Sequence, residues 1–154
     1  MDNRTIALKL ILRHLGTENI DTVEERMAVQ KAVYLTQVVG VPLGYSYGWY
    51  LKGPYSPSLT KDYYALGSEA ADELDATIKP KVKELLDKIK QLSDEQIDGM
   101  KKPQKLELLA SLHYLMAYSK LTPSQVKKTI EEKKYHLSKH VDDGVRLLKN
   151  YSLV

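Results

Sequence analysis

The sequence predicts a mainly α-helical single domain carrying one short β element. Three observations lead there: apolar residues recur at helical spacing along most of the chain, cap and stop residues punctuate those stretches, and only Tyr45 to Leu51 switches to a period of two. With 154 residues, one core can bury roughly 70% of the surface that the unfolded chain exposes, so neither disulfides nor a structural metal is needed for folding. No internal repeat, low-complexity tract or long linker divides the chain.

The first predicted helix runs from about Arg4 to Leu15 and stops at Gly16. The second begins at Asp21 or Thr22, where Thr22 and Glu25 have capping-box spacing, and stops at Gly40. Its apolar residues Val23, Met27, Val33, Val38 and Val39, with Ala28 and Ala32, are expected to pack on the first helix, leaving Glu24, Glu25 and Arg26 in water. Tyr45, Tyr47, Trp49 and Leu51 then alternate with Ser46, Gly48 and Tyr50 as a strand, whose partner is expected in a short neighbour such as Val41 to Tyr45 or in a segment without an obvious signature. Gly53-Pro54 turns the chain into a helix capped by Ser56 with Pro57 at its first position, ending near Gly67.

Downstream, Ile78, Val82, Leu85, Leu86, Ile89 and Leu92 mark a one-faced helix, and Ser93 with Gln96 repeats the capping-box spacing before Gly99. Pro103 opens an element whose Leu106, Leu108, Leu109, Ala110, Leu112, Leu115, Met116 and Ala117 are apolar on nearly every side, which predicts the central buried helix. Thr122, Pro123 and Gln125 start another helix carrying Val126 and Ile130. Ser138 is the expected cap of a last one with Val141, Val145, Leu147 and Leu148.

The absence of cysteine removes cysteine nucleophiles, cysteine-ligated zinc, iron–sulfur clusters and thiol switches, and nothing points to an oxidising compartment. No apolar run approaches the roughly 20 residues needed to span a bilayer, and the N-terminal stretch is broken by Lys9 and Arg13, so a cytoplasmic location is expected. The net charge of +3 is uneven: residues 1–80 hold 8 Lys/Arg against 10 Asp/Glu, whereas residues 81–154 hold 15 against 10. The basic half suits an anionic partner, but its lysines alternate with acids at helical spacing, the usual pattern of a solvated face.

Enzyme motifs are missing. The chain has no GxGxxG, Walker-type phosphate loop, GxSxG or HExxH. His136 and His140 are four apart, with Asp142 or Asp143 nearby, yet they lack a fixed ligand set, and solvent-exposed turn histidines are the plainer reading, so neither metal nor cofactor is expected. His113, in the most apolar helix, is expected to be a core histidine bonded to a tyrosine or a backbone carbonyl rather than a general base. The acids Asp72, Glu73, Asp75, Glu131 and Glu132 diverge around their helices and read as solvated.

The aromatic bias is the concentrated signal. The chain has eleven tyrosines, one tryptophan and no phenylalanine, and seven of those tyrosines fall between Tyr34 and Tyr64. A strand with rings on both faces cannot bury them all in one thin domain, so some of Tyr47, Trp49, Tyr50, Tyr55, Tyr63 and Tyr64 are expected at the surface, where such rings serve binding. They could equally lock the strand onto the helices.

Three stretches carry a family resemblance. Gln30-Lys31 with Tyr34-Leu35, the run Trp49 to Leu59 containing Gly53-Pro54-Tyr55-Ser56, and Leu106-Glu107-Leu108-Leu109-Ala110 together resemble the YwgA-like family of small prokaryotic proteins, and more distantly Panacea or SocA-like antitoxin domains. The resemblance implies a helical fold with a winged-helix-like portion and a regulatory or protein-binding role, and it implies no catalytic residues. The expected function is therefore non-enzymatic capture of a partner protein, antitoxin-like or associated with phage defence, through Tyr47, Trp49, Tyr50, Lys52, Tyr55, Ser56 and Tyr63, at a corner expected to present free amides. The alternative is a winged-helix transcription regulator that contacts DNA through Lys127, Lys128, Lys133, Lys134, Lys139 and Arg146, although Asp142 and Asp143 sit where a recognition helix would read bases.

Overall fold

The computed structural model describes residues 2–66 and 77–154. Within them the fold is mainly α, with seven α-helices and one two-stranded antiparallel sheet. Helix α1 (Asn3–Leu15) is capped by the Asp2 carboxylate, which accepts from Thr5 N at 2.8 Å. Helix α2 (Val23–Val38) opens on the reciprocal Thr22–Glu25 capping box.

Every residue of α2 from Ala28 to Thr36 is buried. This differs from the expected two-faced helix lying on α1: the most extensive contact of α2 is with α5 (Lys102–His113), itself buried from Lys105 to His113. Two helices enclosed on all sides thus make the centre, and α5 takes the central place its sequence predicts. Helices α1, α4 (Pro80–Asp94) and α7 (Val141–Asn150) pack around them over one continuous apolar cluster from Leu8 to Leu148. Gly144 lets α7 settle onto α5, since a Cβ there would run into Leu112 and Leu108.

The β element also departs from expectation. Strand β1 is only Gly48–Tyr50, and its partner β2 is Gly53–Tyr55, the segment read as a turn, paired Gly48 with Tyr55, Trp49 with Pro54 and Tyr50 with Gly53. Tyr45 does not extend the strand because the Gln37 side-chain amide occupies its backbone, donating to Tyr45 O at 3.0 Å and accepting from Tyr45 N at 2.8 Å. Gly53, at φ +93°, follows the Leu51-Lys52 connection, a left-handed position suited to glycine after a two-residue loop of negative φ. Pro54 is tolerated because each strand of a two-stranded sheet is an edge.

Helix α3 (Pro57–Leu66) starts as predicted, with Ser56 Oγ accepting from Leu59 N at 3.4 Å. Ser93 makes no cap: it lies inside α4 and donates to Lys90 O at 3.0 Å, because the apolar stripe of α4 continues through Leu92. Helix α5 passes directly into a π-helical turn, Tyr114–Tyr118. Helix α6 (Pro123–Lys133) carries the Thr122–Gln125 capping box, and a 3-10 turn, Tyr135–His140, separates it from α7. Ser138 lies in that turn and donates to Tyr135 O at 2.8 Å, so it does not cap α7, which begins after His140. Asp72, Glu73 and Asp75 lie outside the described residues. No helix among the described residues is long and apolar enough to cross a membrane.

Candidate functional site

The hairpin is held from beneath by polar side chains of α2 and by Lys134, which follows α6 and pairs with Glu107 of α5. Gln30 on α2 reads both sides of the Ser56 backbone, donating to its carbonyl and accepting from its N–H at 2.9 Å each, while also donating to Thr60 Oγ1. Its neighbour Lys31 donates to Pro54 O at 2.7 Å. At the hairpin tip, Lys134 donates to Leu51 O at 2.8 Å and to Glu107 Oε2 on α5 at 2.8 Å, and His136 Nε2 lies 3.1 Å from Glu107 Oε1. Residues from three stretches distant in sequence, Gln30-Lys31, the hairpin and Glu107 of α5, therefore meet at one place.

Burial sets the electrostatics of this cluster. Desolvation pushes the Lys31 ammonium down to about 7, aided by the repulsion of Lys134 and only partly opposed by Glu107. Lys134 is lowered as well, through burial, against the pull of Glu107. For Glu107, burial alone would raise the carboxyl, but the hydrogen bond and charge of Lys134, with those of His136, hold it below its ordinary value. The cluster thus has one acid for two buried lysines, which favours loss of the Lys31 proton near neutral pH.

Several predicted contact residues are placed differently. Ser56 is fully buried and Tyr63 nearly so. Two amides of the corner are already taken, Ser56 N by Gln30 and Leu59 N by Ser56 itself. Tyr47 is half-buried, donating to Gln30 O at 3.2 Å with its ring edge-on to Tyr34. Trp49, also half-buried, tilts against Tyr114 at 5.7 Å under the Lys134 ammonium.

Tyr50, Lys52, Tyr55 and Tyr63 do come together. With Tyr64 and Leu51 they line a groove of about 410 Å³ between the hairpin, α2 and α3. Tyr50 and Tyr64 are about half exposed, and Leu51 at the hairpin tip is 95% exposed. Arg26, Lys31 and Lys52 also line the groove, and no carboxylate does among its described residues. The groove therefore offers apolar ring surface under the positive potential of Arg26 and Lys52, while Lys31 gives up its proton near neutral pH.

The basic C-terminal half is less available than its composition implies. Lys134 is 1% exposed, so this predicted nucleic-acid contact is closed to solvent by its pairing with Glu107. Lys127 pairs with Asp142 at 2.9 Å and Arg146 with Asp143 at 3.2 Å. Lys128, Lys133 and Lys139 are exposed. His113 takes both expected partners: Nδ1 lies 2.7 Å from the Tyr34 hydroxyl and the ring bonds the Leu153 backbone, with burial lowering its basicity. No group of three or more metal-ligating side chains occurs among the described residues.

Motif and composition alone do not single out Gln30, Lys31 and Glu107. The signal was present, since a glutamine–lysine pair inside a buried run and a glutamate between leucines of an apolar helix cannot reach water and must be satisfied internally. Comparison of the chain with family models, with curated proteins and with solved structures finds no match.

Proposed function

We propose that this is a non-enzymatic regulatory protein that captures a partner protein, in an antitoxin-like or phage-defence setting, through the hairpin tip and the groove beside α3. The observation that carries this reading is the exposed Leu51, held beside a tyrosine-lined groove by two buried lysines that fix the backbone on which it stands. A rigid apolar tip next to rigid ring surface is what interface centres use. The cationic, carboxylate-free lining selects an acidic segment with an apolar or aromatic anchor as the partner's contribution. The resemblance to YwgA-like and antitoxin domains points the same way.

The test is a capture experiment with purified protein followed by titration against the recovered partner. Wild type should bind it directly. Leu51→Asp and Tyr50→Ala should each lose at least tenfold in affinity, while Lys83→Ala, exposed on α4 and absent from the groove lining, should not. Equal affinity across all four proteins would remove the proposed surface. DNA binding through the basic half has less geometric support, because Lys127, Lys134 and Arg146 are engaged with acids.

A further inference from the structure

A second cavity, of about 310 Å³, shares no lining residue with the groove. Five tyrosines, Tyr34, Tyr45, Tyr47, Tyr114 and Tyr118, make its walls together with Gln37 and Ser46. Its size falls at the small end of ligand sites. Its polar groups are largely committed elsewhere: the Tyr34 hydroxyl to His113, Tyr45 to Asp62 at 2.8 Å, Tyr47 to the Gln30 carbonyl, and both ends of the Gln37 amide to the Tyr45 backbone. Tyr34 and Tyr45 are almost wholly buried, so the ring surface that the cavity presents comes mainly from Tyr47, Tyr114 and Tyr118, beside the polar Ser46 and Gln37.

The arrangement of the rings selects the ligand shape. Tyr34 meets Tyr47 at 80° and Tyr118 at 69°, and Tyr114 meets Tyr118 at 45°, with centroids 5.1, 6.3 and 5.5 Å apart. No such pair forms the parallel slot that a flat base or ring would enter, whereas a rounded group can touch several inclined rings together. Charge selects its sign. Each phenol that donates its O–H gains electron density, and the Tyr45 donation to a carboxylate does so most; a ring face is already the negative side of its quadrupole. The Tyr45 ring already takes a cation, with the Arg4 guanidinium 4.7 Å from its centroid, and that charge is balanced by Asp62 at 3.0 Å. Among the described residues, no lysine, arginine or histidine lines the cavity. Burial also keeps the phenols of Tyr34, Tyr45 and Tyr47 protonated.

We propose that the five-tyrosine cavity is an aromatic cage for a trimethylammonium group, borne either by a small quaternary amine or by a methylated lysine side chain. The π-helical turn supplies the outer wall, Tyr114 and Tyr118, and such turns recur at functional sites. Tyr118 is 63% exposed and accessible to an incoming ligand.

Isothermal titration with choline, with its uncharged isostere 3,3-dimethylbutanol, and with a trimethyl-lysine peptide beside its unmethylated form tests the cage. Choline is expected to bind about tenfold more tightly than the isostere. Tyr118→Ala should weaken choline binding about fivefold, and Tyr118→Phe should retain it, because the ring rather than the hydroxyl makes the contact. Tighter binding of choline than of the peptide assigns a small-molecule ligand. A methylation-dependent preference for the peptide assigns a modified protein. Equal affinity for choline and the isostere, no binding of either trimethylammonium source at millimolar concentration, or unchanged binding by Tyr118→Ala overturns the proposal. These titrations need no groove partner, so their failure is separate from failure of the proposed capture function.

Discussion

Lys31 shows how much one buried residue can make stability depend on pH. Its ammonium is held at about 7 in the folded chain against 10.5 unperturbed, so between these values the unfolded chain binds a proton that the folded chain lacks. Stability from this group therefore rises with pH across that window and is lowest below it, with a slope approaching about 1.4 kcal/mol per pH unit. Lys134, lowered in the same direction, adds to the trend. Urea unfolding at pH 7, 8 and 9 should show the wild type gaining on Lys31→Met as pH rises; parallel curves would refute the assignment. Glu107 carries the opposite obligation, as the acid paired with the buried Lys134. Glu107→Gln strands that ammonium and should cost roughly 3 to 5 kcal/mol, of which the double variant Glu107→Gln, Lys134→Met recovers most. Denaturant midpoints of the three proteins would reveal whether the pair or the individual side chains carry the cost.

At the scale of elements, the hairpin-to-α5 contact is decided by the smallest residue in it. A Cβ on Gly53 would meet Ser111 Oγ, and the φ of +93° adds strain for any other residue. Gly53→Ala is expected to destabilise by roughly 2 to 4 kcal/mol. Among the described residues the buried Ser111 Oγ has no hydrogen-bond partner, so Ser111→Ala should be close to neutral and should rescue the steric part of Gly53→Ala, leaving the backbone part. A double-mutant cycle showing strict additivity would contradict this contact. The same contact explains what the sequence could reveal. Helix boundaries with local chemistry, such as Thr22–Glu25 and Thr122–Gln125, are legible because cap and helix are three residues apart. Strand β2 was not, because Gly53-Pro54 carries turn chemistry and only a distant α5 makes it a strand. Ser93 and Ser138 match cap spacing, yet tertiary packing prolongs one helix and inserts a 3-10 turn before the other.

For the whole molecule, the tyrosine-rich stretch that composition singled out divides between the groove and the second cavity, while its backbone is the part that α2 and Lys134 grip. Half of that was readable: ring surplus is a local count, but which rings face outward depends on Gln30, Lys31 and Glu107, whose roles come from residues 23 to 27 positions away. The coupling between hairpin and helical body can be followed directly, because Trp49 is the sole tryptophan and sits in that contact. Glu107 is depressed in the folded state, so its stabilisation is present above the ordinary carboxyl range and is lost as pH falls through the lower folded value. Trp49 emission should accordingly shift to the red only below the ordinary carboxyl range, before the far-ultraviolet helix signal falls, and Glu107→Gln should show the shifted emission already at neutral pH. Simultaneous loss of both signals would mean that the hairpin cannot detach by itself. The two lysine tethers end on main-chain oxygens, of Pro54 and Leu51, rather than on side chains. Anchors of that kind do not depend on which side chains stand at the tip, so positions 51 and 52 are free to diverge under selection for new partners while the scaffold keeps its grip. The molecule has, in effect, separated the letters it can rewrite from the grammar that holds them.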